Sequence, residues 1–272
     1  MPDFLDITSR EMVERILPLC HGPFVKIRIK SEDVEYTVSK PLLCKESSYF
    51  STILDGKSTT VEDKPLNGKG RPTKEEEKPT TGEEQVVTLE NIEGIVSRRS
   101  IECLLQWLYS RKIGFNPGNP EEKVSTAIKV ARLAEMCSIV GLDTLVVQYI
   151  KSTLAASVGG QPRANATDRV LKTHVLTREH IFAAGYLRRG HPVRRVVAAA
   201  SVEGFFLDAN YKFVKEDREH PTFAADLLAE VRWALQSLSC KGGCATVTDP
   251  LDGEIIKIGY VEQPPGAAKK SL

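Results

Sequence analysis

Residues 24 to 50 read FVKIRIKSEDVEYTVSKPLLCKESSYF, and this stretch decides the fold. Val25, Ile27 and Ile29 alternate with Lys26, Arg28 and Lys30, which is the period of a strand buried on one face. Ser31, Glu32 and Asp33 make a turn, and Val34, Tyr36 and Val38 repeat the alternation, so residues 24 to 39 read as a β-hairpin. From Pro41 to Leu54 the pattern changes. Leu42, Leu43, Tyr49, Phe50, Ile53 and Leu54 are too dense for a solvated loop and read as two short helices.

Upstream, residues 1 to 22 hold a short amphipathic helix. Thr8 and Glu11 form a capping box ahead of Met12, Val13, Ile16 and Leu17 on one face. Downstream, the chain from Gly56 to Gln85 is Lys, Glu, Thr, Pro and Gly with almost nothing to bury, so the entropy of ordering it is not recovered and a disordered insertion at 56–85 is expected. Val86 to Leu89 resumes a strand. Ile101, Leu104, Leu105 and Leu108 then give a helix with a core-facing stripe that carries Trp107 and Tyr109 near its end.

Val124, Ala127, Ile128 and Ala131, then Leu145, Tyr149 and Ile150, mark two further helices separated by Gly141, with Asp143 as an N-cap for the second. Residues 156–175 are small and polar and read as a linker. A helical region at 176–240 follows. Thr177 caps one helix that runs through Leu187, and Pro192 opens another with Val193, Val196, Val197 and Ala200 on one face. Pro221 precedes a third with Leu227, Leu228, Val231, Leu235 and Leu238. The tail at 241–272 alternates around Asp252 and Gly253, which suggests a small hairpin.

The order of hairpin, two short helices, strand, helix and helical hairpin resembles the BTB/POZ domain from about Pro23 to Leu154. The motifs that carry the resemblance are Tyr36-Thr37-Val38-Ser39-Lys40-Pro41-Leu42-Leu43, Ser47-Ser48-Tyr49-Phe50, and Leu104-Leu105-Gln106-Trp107-Leu108-Tyr109. Two positions depart from the family pattern, Ser39 for its usual histidine and Glu46 for its common arginine. HPVRRVVAAASVEGFF (191–206) and HPTFAADLLAEVRWAL (220–235) look like the C-terminal part of filamentous-fungal BTB proteins. The implied fold class is α+β: a BTB core at 23–117 of a small sheet with clustered helices, completed by a helical hairpin at 118–155 and followed by the helical C-terminal region. The resemblance also implies self-association and two mechanisms, adaptor work for a cullin-type ubiquitin ligase or assembly of transcriptional complexes.

Composition narrows the function. With 37 basic and 36 acidic residues the net charge is +1, so bulk attraction to nucleic acid or anionic membranes is disfavoured. The longest apolar run, Val196 to Val202, falls short of the roughly 20 residues a bilayer span requires. The acidic start of the chain is unlike a signal peptide, and an intracellular site, cytoplasmic or nuclear, is expected. No hydrolase elbow, zinc-protease helix, Walker loop or dinucleotide fingerprint occurs, so the chain is read as non-enzymatic, with no cofactor and no catalytic or metal residues assigned.

The chemistry-bearing residues leave alternatives open. Trp107 either fills the core or anchors a partner, and so does Tyr109. Cys240 and Cys244 form half of a zinc site, a redox pair, or a loose turn with two free thiols. Arg188, Arg189, Arg194 and Arg195 either grip phosphate or an acidic partner, or solvate two helix ends. The expected function is a protein-interaction module that self-associates, with Met12, Ile16, Leu43, Tyr49 and Tyr109 as interface candidates. The rival is a transcription-associated regulator with a metal- or DNA-contacting surface built from the arginines and the cysteine tail.

Overall fold

The computed structural model describes residues 22–56, 85–90, 95–114, 118–159, 171–208, 210–241 and 244–260. The amphipathic helix expected at 1–22 and nearly all of the insertion lie outside these residues. The described chain is mixed α+β, rich in helix, with two three-stranded sheets. It divides into two compact units. Of the described residues, one holds those up to Arg111 with Met136–Val140, and the other holds those of Lys112–Glu135 with those from Gly141 onward.

In the first unit β1 (Phe24–Ile29) and β2 (Val34–Ser39) form the expected hairpin, in register from Phe24 opposite Ser39 to Ile29 opposite Val34. Asp33 takes the left-handed conformation that closes the turn, at φ 49°. β1 is the central strand, because β3 (Val86–Leu89) pairs parallel along its other edge. Val25, Ile27, Ile29, Val38, Val87 and Leu89 are buried, so the alternating residues supply one apolar face.

Helices α1 (Lys40–Glu46) and α2 (Ser48–Leu54) follow, as the apolar density of Pro41 to Leu54 predicts. Ser47 joins them: its backbone N–H closes α1 on Leu43, and its hydroxyl accepts the Phe50 N–H to open α2. Such a serine satisfies amide groups that a helix end otherwise leaves orphaned. The same hydroxyl donates to the Cys137 carbonyl. Helix α3 (Arg98–Ser110) begins with a serine capping box, Ser97 with Ser100, and buries Ile101, Cys103, Leu104, Trp107 and Leu108.

The second unit corrects the domain boundaries. Helices α4 (Pro120–Met136) and α5 (Asp143–Gly159), expected to complete the first domain, group instead with the C-terminal helices, and α5 packs on α7 (Pro192–Leu207). Periodicity reveals that these helices have apolar faces, but not which surface covers them. The linker at 156–175 is likewise shorter than read. α5 continues to Gly159, and residues 160–170 are outside the description. Lys172, Thr173 and Val175 are buried around a 3-10 turn at Lys172–His174.

Helix α6 (Arg178–Gly185) starts after Thr177 as read but stops short of Leu187. The short α8 (Val214–Glu219) precedes α9 (Pro221–Gln236), and Pro192 and Pro221 each occupy the first position of their helix. On α9 the buried face is Phe223, Leu227, Val231 and Ala234, whereas Leu228, Leu235 and the following Leu238 are exposed. The apolar residues of α9 therefore occupy two faces rather than one. The tail forms β4 (Ser239–Lys241), β5 (Cys244–Thr248) and β6 (Ile255–Tyr260), an antiparallel meander that contains the hairpin read around Asp252 and Gly253.

Candidate interaction surfaces

The sequence candidates in the first unit separate into core, anchor and surface. Leu43 is 0% exposed, so as an interface residue it is corrected to core. Tyr49 is half-buried and meets Phe50 edge to face at 5.3 Å; burial, with the Cys137 thiol nearby, raises its phenol. Tyr109 is 39% exposed, yet its hydroxyl accepts the Ser39 backbone N–H at 3.0 Å and ties α3 to the end of β2. Met12 and Ile16 lie outside the described residues. Phe24, Ile53 and Val86 are exposed, although Ile53 belongs to the apolar run that reads as two packed short helices.

Trp107 is 3% exposed and belongs to the core, with the Arg111 guanidinium 4.3 Å above its ring. Arg111 closes α3 in the left-handed conformation, at φ 56°, a geometry that costs a non-glycine residue about 1–2 kcal/mol. Its ion pair to the half-buried Glu46 holds it there. Ser39 and Glu46, the two departures from the family pattern, both have structural work: Ser39 caps α1 through Leu42, and Glu46 secures the end of α3.

In the second unit the arginine cluster is largely neutralised. Arg194 is buried, with bonds to Asp226 at 2.7 Å and to the carbonyls of Leu187 and Thr222. Arg195 pairs with Glu230 at 3.0 Å, and the Arg188 backbone N–H reaches Glu135. Three of the four thus already face a carboxylate, Arg188 through its Nε at 3.8 Å from Glu135, although the Arg188 and Arg195 side chains stay largely in solvent. The cysteines do not converge either. Cys240 lies opposite Ala245, whose neighbour Cys244 faces the other side of the ribbon, so the two thiols stand on opposite faces. Among the described residues no group of three His, Cys, Asp or Glu side chains could hold a metal. Burial pushes the Cys137 thiol up to about 12, which keeps it protonated and inert.

Ser125 and His180 are 2.7 Å apart, the spacing of a nucleophile and its base. The geometry denies them that role. His180 Nδ1 accepts the Thr177 N–H at 3.0 Å, so the ring proton sits on Nε2, facing Ser125 and the Glu121 carbonyl at 3.0 Å. An imidazole with a proton on that nitrogen cannot remove one from Ser125. His180 serves instead as the third-position member of the Thr177 capping box, and sequence reading missed it because a capping box is sought as Glu or Gln at that position.

Another buried cluster was hidden in the linker. Lys172 is 2% exposed and its ammonium binds Asp249 at 2.6 Å and also Asp252. Burial alone would lower this lysine, but its bonds to the two aspartates outweigh that and raise it. The cluster fastens the 3-10 turn to the β5–β6 turn.

Large apolar side chains are also left in solvent in the second unit. Phe182 on α6 and Tyr186 at its C-terminal cap lie one turn apart, edge to face at 5.0 Å, with His220 against Phe182 at 5.6 Å and Arg132 4.4 Å over Tyr186. Both aromatic residues are about half exposed. On α9, Leu228 is 60% exposed and Trp233 47%, with Leu235 and Leu238 also in solvent. No described helix is long and apolar enough to cross a membrane. Neither a family model nor a curated protein matches this chain.

Proposed function

We propose that this chain is a non-catalytic protein–protein interaction module of the BTB/POZ kind, acting inside the cell as a self-associating scaffold or as a substrate adaptor for a cullin-type ubiquitin ligase. The observation that carries the interaction reading is the set of large apolar side chains left in solvent in the second unit: the edge-to-face pair Phe182 and Tyr186, and Leu228, Trp233 and Leu235 on α9. Interface cores are enriched in aromatic residues, and a paired exposed aromatic is the strongest of these candidates. The BTB component rests on the element order of the first unit: hairpin, two short helices, strand, and a helix that buries Trp107. The rival regulator reading draws no support from paired arginines and divergent thiols.

Light scattering at micromolar concentration tests self-association. A dimer mass that falls to monomer when Met12 and Ile16 become Asp, with the circular dichroism unchanged, is the expected result. A monomer mass for the intact chain, unaltered by the double change, defeats it. Retention by an immobilised cullin N-terminal region tests the adaptor role, and no retention removes that role while leaving the scaffold.

A further inference from the structure

We propose that His180 is a proton-operated latch, which seats the first turn of α6 against α4 while its ring is neutral and releases that turn when the ring is protonated. The ring is buried and its two nitrogens have different jobs. Nδ1 accepts the Thr177 N–H at the start of α6; Nε2 faces the Glu121 carbonyl and the Ser125 hydroxyl of α4. A second proton can go only to Nδ1. There it would face the Thr177 N–H donor to donor, and the cap would be lost together with the charge's access to water.

The groups around the ring are known by element. From α4 come the Glu121 carboxylate and carbonyl and the Ser125 hydroxyl; from the start of α6 itself come Thr177 and the exposed Glu179; from the segment before α8 comes Lys212. Burial opposes the charged ring most strongly, and Lys212 adds to it. Glu121 and Glu179 favour the charge but are exposed and screened, so the folded ring titrates below its ordinary value. The unfolded or released segment then binds the proton more readily than the seated one. Its hold on α4 is therefore complete above about pH 6.5 and weakens as the pH falls below that value. Release would unseat Ile181 and Ala184, which α6 buries, beside the exposed Phe182 and Tyr186. Acid would enlarge the apolar surface on which the proposed partner binding rests.

Hydrogen exchange of the full chain between pH 7.5 and 5, corrected for intrinsic rates, is the test. The α6 amides are expected to lose protection by about tenfold for each unit by which burial depresses the ring, while α9 changes little. In His180→Asn, whose amide oxygen replaces the Nδ1 acceptor without titrating, α6 protection should stay flat; His191→Asn should leave the α6 response intact. An unchanged acid response in His180→Asn, or no response in the wild type, overturns the latch. Should the variant not fold, imidazole nitrogen shifts of the wild type decide. The Nε2–H tautomer at pH 7.5, with a midpoint below 6.5 that coincides with α6 release, supports the latch. An Nδ1–H tautomer, a higher midpoint or a separate transition overturns it. Because this readout is internal to the chain, it stands or falls independently of any partner.

Discussion

Replacing Lys172 by Met should cost about 3–5 kcal/mol of folding stability, the range for breaking a buried ion pair by removing one partner. The reasoning starts from burial: Lys172 and Asp249 are both within the interior, 2.6 Å apart, with the more accessible Asp252 completing the site. Methionine has nearly the shape of lysine, so little of the cost is cavity. What remains is Asp249, whose charge loses its compensation. Burial already raises that carboxyl, and without Lys172 to lower it the shift grows. The folded variant then holds a proton the unfolded chain releases, so its penalty is largest near neutral pH and shrinks as the pH falls toward the ordinary aspartate value. Adding Asp249→Asn removes the charge while keeping an acceptor for the Leu251 N–H. The double variant should recover much of the loss. Urea denaturation at pH 7.5 and 5 measures all three chains. A loss below about 1 kcal/mol for the single variant, or a double variant no better than it, would refute the reasoning.

Trp107→Ala should lose roughly 3–5 kcal/mol or fail to fold, the range for truncating a buried large aromatic, and a wild-type melt would return the residue to the surface. Tyr109→Phe removes only the oxygen that accepts the Ser39 N–H and should cost about 1–3 kcal/mol by denaturant unfolding; no change would mean that water replaces it. Gly204 lies where α7 meets the 3-10 turn, and a Cβ there would stand 2.9 Å from Thr173 Cγ2. Gly204→Ala should therefore destabilise by about 1–3 kcal/mol, with relief from Thr173→Ser, and an additive pair in a double-mutant cycle would rule out that contact.

The sequence by itself determined the local elements whose periodicity is complete within a few residues. The 24–39 hairpin, the paired short helices after it, the stripe of α3 and the hairpin around Asp252 all follow from side chains alternating with their own neighbours. Trp107 stood open between core and partner anchor on the sequence, and its burial on α3 decides for the core. Tertiary structure alone decided what those faces cover. It moved α4 and α5 into the second unit, turned α9 so that Leu228 and Leu235 face solvent, and buried Lys172 in a segment that looked like linker. It also gave His180 its cap, set Cys240 and Cys244 on opposite faces, and assigned carboxylates to the arginines. The reason is range: propensity and period act between residues three or four apart. Lys172 meets Asp249 across 77 positions and His180 meets Ser125 across 55, separations over which composition carries no register.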